Sequence, residues 1–232
     1  MNRLSFENVS VFRNGKEILG PLDVALQTNG ITCLLGPNGA GKSVFLNLCH
    51  GMFSPDTGRV EWDGVSAVAT RNDRSFMFQT AAVMRRSVWA NVAFPLVAQK
   101  VPKTERSERV AQALEFARLM DQATQPAASL SGGEKQRMAL ARAWVTRPKV
   151  ILLDEPAANL DPGSTHALES MLHDIAAKSG VIIATHDLPQ ARRLAHHVLV
   201  FTNGKLAANA DADTFFTRTH TGQVADYLDG RI

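Results

Sequence analysis

With 232 residues, 45% of them hydrophobic, the chain is long enough to bury a substantial core, and one compact domain is expected. Its 25 Lys and Arg against 22 Asp and Glu leave a formal charge of +3, and the basic residues are scattered rather than clustered, so nothing supports a nucleic-acid surface. No run approaches the roughly 20 apolar residues of a membrane span, and Cys33 and Cys49 have neither metal-ligand nor disulfide spacing, which suits a reducing compartment and small buried hydrophobes.

The chain opens with short strand-like runs punctuated by tight turns: LSFENVSVF, Asn14-Gly15, LDVAL, Asn29-Gly30, ITCLL, and RVEWDG ending in Asp63-Gly64. From about Ser87 to Arg147 the period becomes helical, with Val110, Leu114 and Ala117 on one stripe and Met138, Ala141 and Trp144 on another. VILLDE and GVIIATHD are short apolar runs ending in polar residues, the pattern of strands buried on both faces of a parallel sheet. A hairpin, HVLVFTNGKLAA, and a short helix close the chain. The expected organisation is a single domain, 1–232, with an α/β core and β subdomain from 1–86 and 148–232 and a helical insertion over 87–147.

Three stretches carry chemistry. Gly36, Gly41, Lys42 and Ser43, within Gly36-Pro37-Asn38-Gly39-Ala40-Gly41-Lys42-Ser43-Val44, match G-x-x-x-x-G-K-[ST] between a predicted strand and a predicted helix. Glycines let the backbone N–H groups converge on phosphate oxygens, the helix N-terminus adds its positive end, Lys42 reaches the β/γ-phosphates and Ser43 holds Mg²⁺. In VILLDEP, Asp154 and Glu155 close an apolar run, so on a strand their side chains point different ways, one toward a metal shell and one toward a water. In LSGGEKQR, Ser131 and Glu134 form a capping box that opens a helix. Gly132 and Gly133 cost about 1 kcal/mol each against Ala in a helix, and their bare N–H groups make a second anion site.

These elements, in order, resemble the ATP-binding cassette ATPases, specifically the nucleotide-binding subunits of ABC transporters. GPNGAGKS resembles the Walker A motif, Gln79 in FMFQT the Q-loop, LSGGEKQR the signature, VILLDEP the Walker B motif, NLDP the D-loop around Asp161, and ATHD the switch around His186. The resemblance implies an α/β P-loop fold of ABC type: a central, mostly parallel sheet with an antiparallel β subdomain and an inserted α-helical subdomain. It implies MgATP sandwiched in a head-to-tail dimer, the Ser131–Gly133 end of one copy covering nucleotide held by the other. Phe12 falls where the family stacks an aromatic on adenine. Gln79 takes the place of the residue linking the Mg²⁺ and water site to the transmembrane partner, Asp154 that of a metal ligand with Ser43, Glu155 that of the water-polarising residue, and His186 that of the γ-phosphate contact.

One cassette without a membrane span implies a peripheral subunit on the cytoplasmic face of the cell membrane, docked on permease subunits. The ending VADYLDGRI resembles importer ATPases for oxyanions such as tungstate, molybdate or phosphate, which work with an extracytoplasmic solute-binding protein; DEPAANLD also resembles lipid or lipoprotein exporter subunits. Met84, Arg85 and Arg86 resemble the groove that receives a permease helix. A DNA-maintenance ATPase of related fold needs a long coiled coil for which the insertion is too short, and a GTPase needs an N/T-K-x-D element that is absent. Val44 departs from the family's usual Thr and lacks its hydroxyl.

Overall fold

The computed structural model describes residues 3–231. Strands β1 (Arg3–Arg13) and β2 (Lys16–Gln27) lead into β3 (Ile31–Leu35) and helix α1 (Lys42–His50). There follow β4 (Thr57–Trp62), β5 (Val65–Ser66), β6 (Arg74–Met77), helices α2 (Val88–Ala98), α3 (Lys103–Phe116) and α4 (Gly132–Trp144), and β7 (Val150–Asp154). The last part comprises α5 (Pro162–Ala176), β8 (Gly180–Ala184), α6 (Leu188–Leu194), β9 (His197–Thr202), β10 (Lys205–Asp211), α7 (Ala212–Thr217) and α8 (Gly222–Leu228). The chain therefore ends in two short helices rather than the one expected.

Six strands form the central sheet in the order β10-β9-β3-β8-β7-β6. All neighbours are parallel except β10, which the Asn203-Gly204 turn folds back onto β9. Both turn residues have positive φ, as do Asn14-Gly15 and Asp63-Gly64, the geometry that matches strand twist in two-residue hairpins. At Asn29-Gly30 only the glycine does, and that pair feeds β3 instead of closing a hairpin.

Strand periodicity explains why β3, β7 and β8 are almost wholly apolar along their length. Cys33, Leu35, Ile151, Leu153, Val181 and Ile183 enter one core, shared with α2–α6. Leu34, Val150, Leu152, Ile182 and Ala184 enter the other, shared with α1 and the antiparallel sheet β2-β1-β4-β5. A two-residue period with both faces covered leaves little room for polar side chains, and Thr32 of β3 is a buried exception. Phe45 on α1 stacks on Phe6 of β1 at 4.5 Å and lies 5.0 Å from Phe201 of β9, joining the two sheets across this second core. Arg74, which by sequence is one of the scattered cations, is 5% exposed. It donates to the His50 carbonyl (3.1 Å), to the Ala67 carbonyl and to Thr70 Oγ1 (3.1 Å), and lies over the Trp62 ring, so it is a structural tie rather than surface charge. Cys33 and Cys49 are both fully buried, and burial pushes their thiols above the ordinary range.

Candidate functional site

The parallel strands deliver four loops to one edge of the sheet. Residues 36–41 follow β3, Gln79 follows β6, Asp154 ends β7 with Glu155 just after it, and His186 follows β8. In an open α/β sheet the carboxyl ends of the strands are where a crevice forms. Here a cleft of about 500 Å³ is lined by Ile18, residues 38–44, Gln79, Asp154, Glu155 and His186, a size in the range of small-molecule sites.

The phosphate loop is built on backbone that side chains would obstruct. Gly36 has φ +139°, and a Cβ there would sit 2.1 Å from the Phe201 carbonyl oxygen. Gly41, at the N-terminus of α1, is left-handed with no side-chain cap, so the helix end stays bare toward the cleft. Lys42 folds back: Nζ donates to the carbonyls of Gly36 (2.6 Å) and Pro37 (3.1 Å) and lies 3.9 Å from Glu155 Oε1. An ammonium has three N–H donors, and those two bonds leave one for a phosphate oxygen. Burial lowers the Lys42 pKa, while the charges of Glu155 and Asp154 act against that. Ser43 is exposed and Val44 half-buried; Val44 lines the cleft and also packs against the core under α1.

Asp154 is the last residue of β7, paired with Ala184. Glu155 diverges from it for a different reason than strand alternation. It has left the strand, with φ +48°, and its N–H donates to the Ala184 carbonyl (2.9 Å). Its carboxylate, 12% exposed, accepts from His186 Nδ1 at 2.8 Å. An ionised carboxylate only accepts, so this bond requires the proton on Nδ1 and leaves Nε2 for another partner.

Other candidates lie outside this cleft. Phe12, at the end of β1, is 39% exposed and its ring is not part of the lining; Ile18, on the paired strand, is. Ser131, Gly132 and Gly133 are also absent from the lining. Ser131 caps α4 in the expected capping box, accepting from Glu134 N–H while Glu134 accepts from Ser131 N–H at 2.8 Å. The two glycines differ. A Cβ on Gly132 would meet nothing within 4 Å, whereas on Gly133 it would be 2.2 Å from Ser164 Oγ on α5. Asp161 caps α5 through Ser164 N–H (3.0 Å), and hydrogen bonding from Ser164, its hydroxyl first and its N–H second, holds the Asp161 carboxyl below the usual range.

Residues 19–158 match the protein family described as ABC transporter. The chain belongs to that family. It is an ABC-type ATPase that binds and hydrolyses ATP. The matched span runs from the phosphate loop through Gln79 and the Ser131–Gly133 helix end to Glu155. The chain is 33% identical over 216 residues to the tungstate uptake system ATP-binding protein TupC of Peptoclostridium acidaminophilum, covering 92% of this chain and all of that one. It is 32% identical over 246 residues to the phosphate import ATP-binding protein PstB 2 of Listeria monocytogenes serotype 4b (strain F2365), covering 99% and 91%. In structure it is similar to CbiO1 of Clostridium perfringens, part of the ABC transporter complex CbiONQ, with a TM-score of 0.85, 28% identity, and 93% and 90% of the chains covered.

A second cavity of the ABC ATPase, about 550 Å³, opens between β6 and helices α2 and α4; Phe78, Ala82, Met84, Phe94 and Arg142 are among its lining residues. Met84 is there as its sequence context suggests, but Arg85 and Arg86 are not; the cations that line it are Arg71, Arg74 and Arg142. Sequence reasoning missed Ile18, which has no distinguishing pattern, and Gln136. The latter is legible in principle: Gly133, Gln136, Leu140 and Ala143 form a helical stripe that is buried throughout, with one amide in it.

Proposed function

We propose that this ABC ATPase works as a head-to-tail dimer of one-domain subunits, residues 1–232 with a helical insertion over 87–147, and energises an importer of a small oxyanion. The observation that carries the dimer is the separation of parts. One cleft gathers residues 38–44, Gln79, Asp154, Glu155 and His186, while the helix end at Ser131–Gly133, with open space at Gly132, lies outside its lining. A second copy brings that end to the nucleotide of the first.

Lys42 and the loop N–H groups bind the phosphates, and Phe12, exposed and uncommitted to the core, offers a ring face to the adenine. Glu155 is placed to take the proton of the attacking water, and His186, bonded to it, orients that carboxylate and contacts the γ-phosphate. Asp161, at the start of α5 beside Ser164 and Gly133, completes the interface side. The oxygen donors Ser43, Asp154 and Gln79 line the same cleft and suit Mg²⁺, which prefers hydroxyl, carboxylate and phosphate oxygens. When bound, that ion supplies charge neutralisation at the phosphates. No helix among the described residues is long and apolar enough to cross a membrane. The groove around Met84 and Phe94 is the surface we assign to the permease at the cytoplasmic face, with an extracytoplasmic solute-binding protein delivering the cargo. The relatives named for tungstate uptake and phosphate import favour import over lipid export.

Glu155→Gln tests the reading. The variant is expected to bind MgATP, turn over slowly and shift from monomer to dimer by light scattering only when MgATP is present. Wild-type turnover, or a monomer at saturating MgATP, would refute the assigned roles.

A further inference from the structure

The main chain between Gln79 and Arg86 leaves the central sheet after β6, and its polar groups are met by side chains of α2 and α4. Gln136 Nε2 donates to the Gln79 carbonyl (3.0 Å), and Arg142 Nη1 to the Ala82 carbonyl (2.6 Å). Asn91, fully buried, accepts from Met84 N–H (2.9 Å) and donates to the carbonyls of Met84 (3.2 Å) and Ser87 (3.0 Å). The Arg86 carbonyl accepts from Ala127 N–H (2.9 Å).

Gln136 is the least expected of these. It is 7% exposed, and its Oε1 is buried without a hydrogen-bond partner. The reverse amide orientation would set two oxygens 3.0 Å apart, so the assignment follows from the Gln79 carbonyl. A methionine would fill the same volume with no orphaned acceptor, and burying an unpaired polar atom is costly. What Gln136 supplies and methionine cannot is a donor for Gln79, from a helix whose first residues are Gly132 and Gly133.

We propose that Gln136 is a positioning residue: it ties the Gln79 main chain to α4, so that the helix end offered to the partner copy's nucleotide and the Gln79 side chain in this copy's own cleft move as one body. Asn91 and Arg142 extend that body to the wall of the permease groove, since Ala82, Met84 and Arg142 all line it. The inference rests on the role given to Gln79 and on the head-to-tail dimer.

The test is turnover of the purified chain with Gln136→Met, alone and in a Gln79→Ala background, with hydrogen exchange of residues 79–86 measured alongside. Loss of one hydrogen bond predicts a kcat lower by about three- to tenfold, with KM for MgATP within about twofold and faster exchange at 79–83. In the Gln79→Ala background the second substitution should lower kcat no further, because there is no side chain left to misplace. Equal fractional losses in both backgrounds would mean that Gln136 acts only through general stability, and would overturn the proposal. Wild-type turnover of Gln79→Ala by itself would instead overturn the reading of Gln79 and the proposal with it. Gln136→Leu repeats the measurement if the methionine variant does not fold.

Discussion

Gly133→Ala separates two reasons for a glycine at the start of α4. An added Cβ would lie 2.2 Å from Ser164 Oγ and 2.7 Å from Ser164 Cβ. The hydroxyl can rotate away, but Ser164 Cβ is fixed to the backbone of α5. Carbon atoms pack at about 3.5–4.0 Å, so α4 and α5 must separate by roughly 1 Å. Overpacking of this kind costs about 1–3 kcal/mol, offset by up to about 1 kcal/mol from the better helix propensity of alanine. The expected net is a loss of about 0.5–2 kcal/mol, or ~1–8 °C in Tm for a chain of this size. Thermal and urea unfolding of the nucleotide-free protein would measure it. Ser164→Gly should relieve the clash, so the double-mutant cycle should show a favourable coupling of about 1 kcal/mol or more. Gly132→Ala, in open space, should be neutral or stabilising. If Gly133→Ala is as stable as wild type, or if Ser164→Gly gives no relief, close approach of the two helices is not why this residue is glycine.

Val44→Thr restores the hydroxyl the family usually places there and should tighten ATP by roughly three- to tenfold, about 0.6–1.4 kcal/mol; equal dissociation constants would make Val44 a packing choice only, consistent with its contact with the core under α1. Met84→Asp should weaken co-purification with the permease while sparing ATP binding, whereas charge reversal at Arg85, which does not line the groove, should do less; an undiminished pull-down with Met84→Asp would place docking elsewhere. Arg193 donates twice to the buried Glu169, Nε at 3.0 Å and Nη2 at 2.7 Å. Burial acts to raise the Glu169 carboxyl, but the hydrogen bonds and charge of Arg193 outweigh it and hold the carboxyl below its ordinary value. That contribution is complete above the unfolded carboxylate range, near pH 4.3, and lost as pH falls through the lower folded value. Arg193→Ala should therefore cost about 1–2 kcal/mol at pH 7, less than a fully buried pair because Arg193 is half exposed, and the deficit should shrink below about pH 4; a deficit that grows on acidification would contradict this sign.

Much of the candidate cleft was legible in sequence because its pattern is local. A phosphate loop needs glycines and a lysine within nine residues of one strand-to-helix turn, and strands covered on both faces must be largely apolar. From Gly36–Val44, VILLDEP and ATHD one can read which loops carry the site, and parallel strand pairing brings their ends to one edge of the sheet. What tertiary structure alone decided are the contacts between segments distant in the chain. Glu155 turns away from Asp154 because its N–H finds the Ala184 carbonyl on the neighbouring strand. Gly133 is bare because α5 arrives there, Arg74 is buried because two sheets meet around it, and Gln136 is polar because the main chain of Gln79 needs a donor. Each depends on a close approach between residues 29 to 57 positions apart or on a surface that forms only after folding, and no sequence window holds both partners of such a contact.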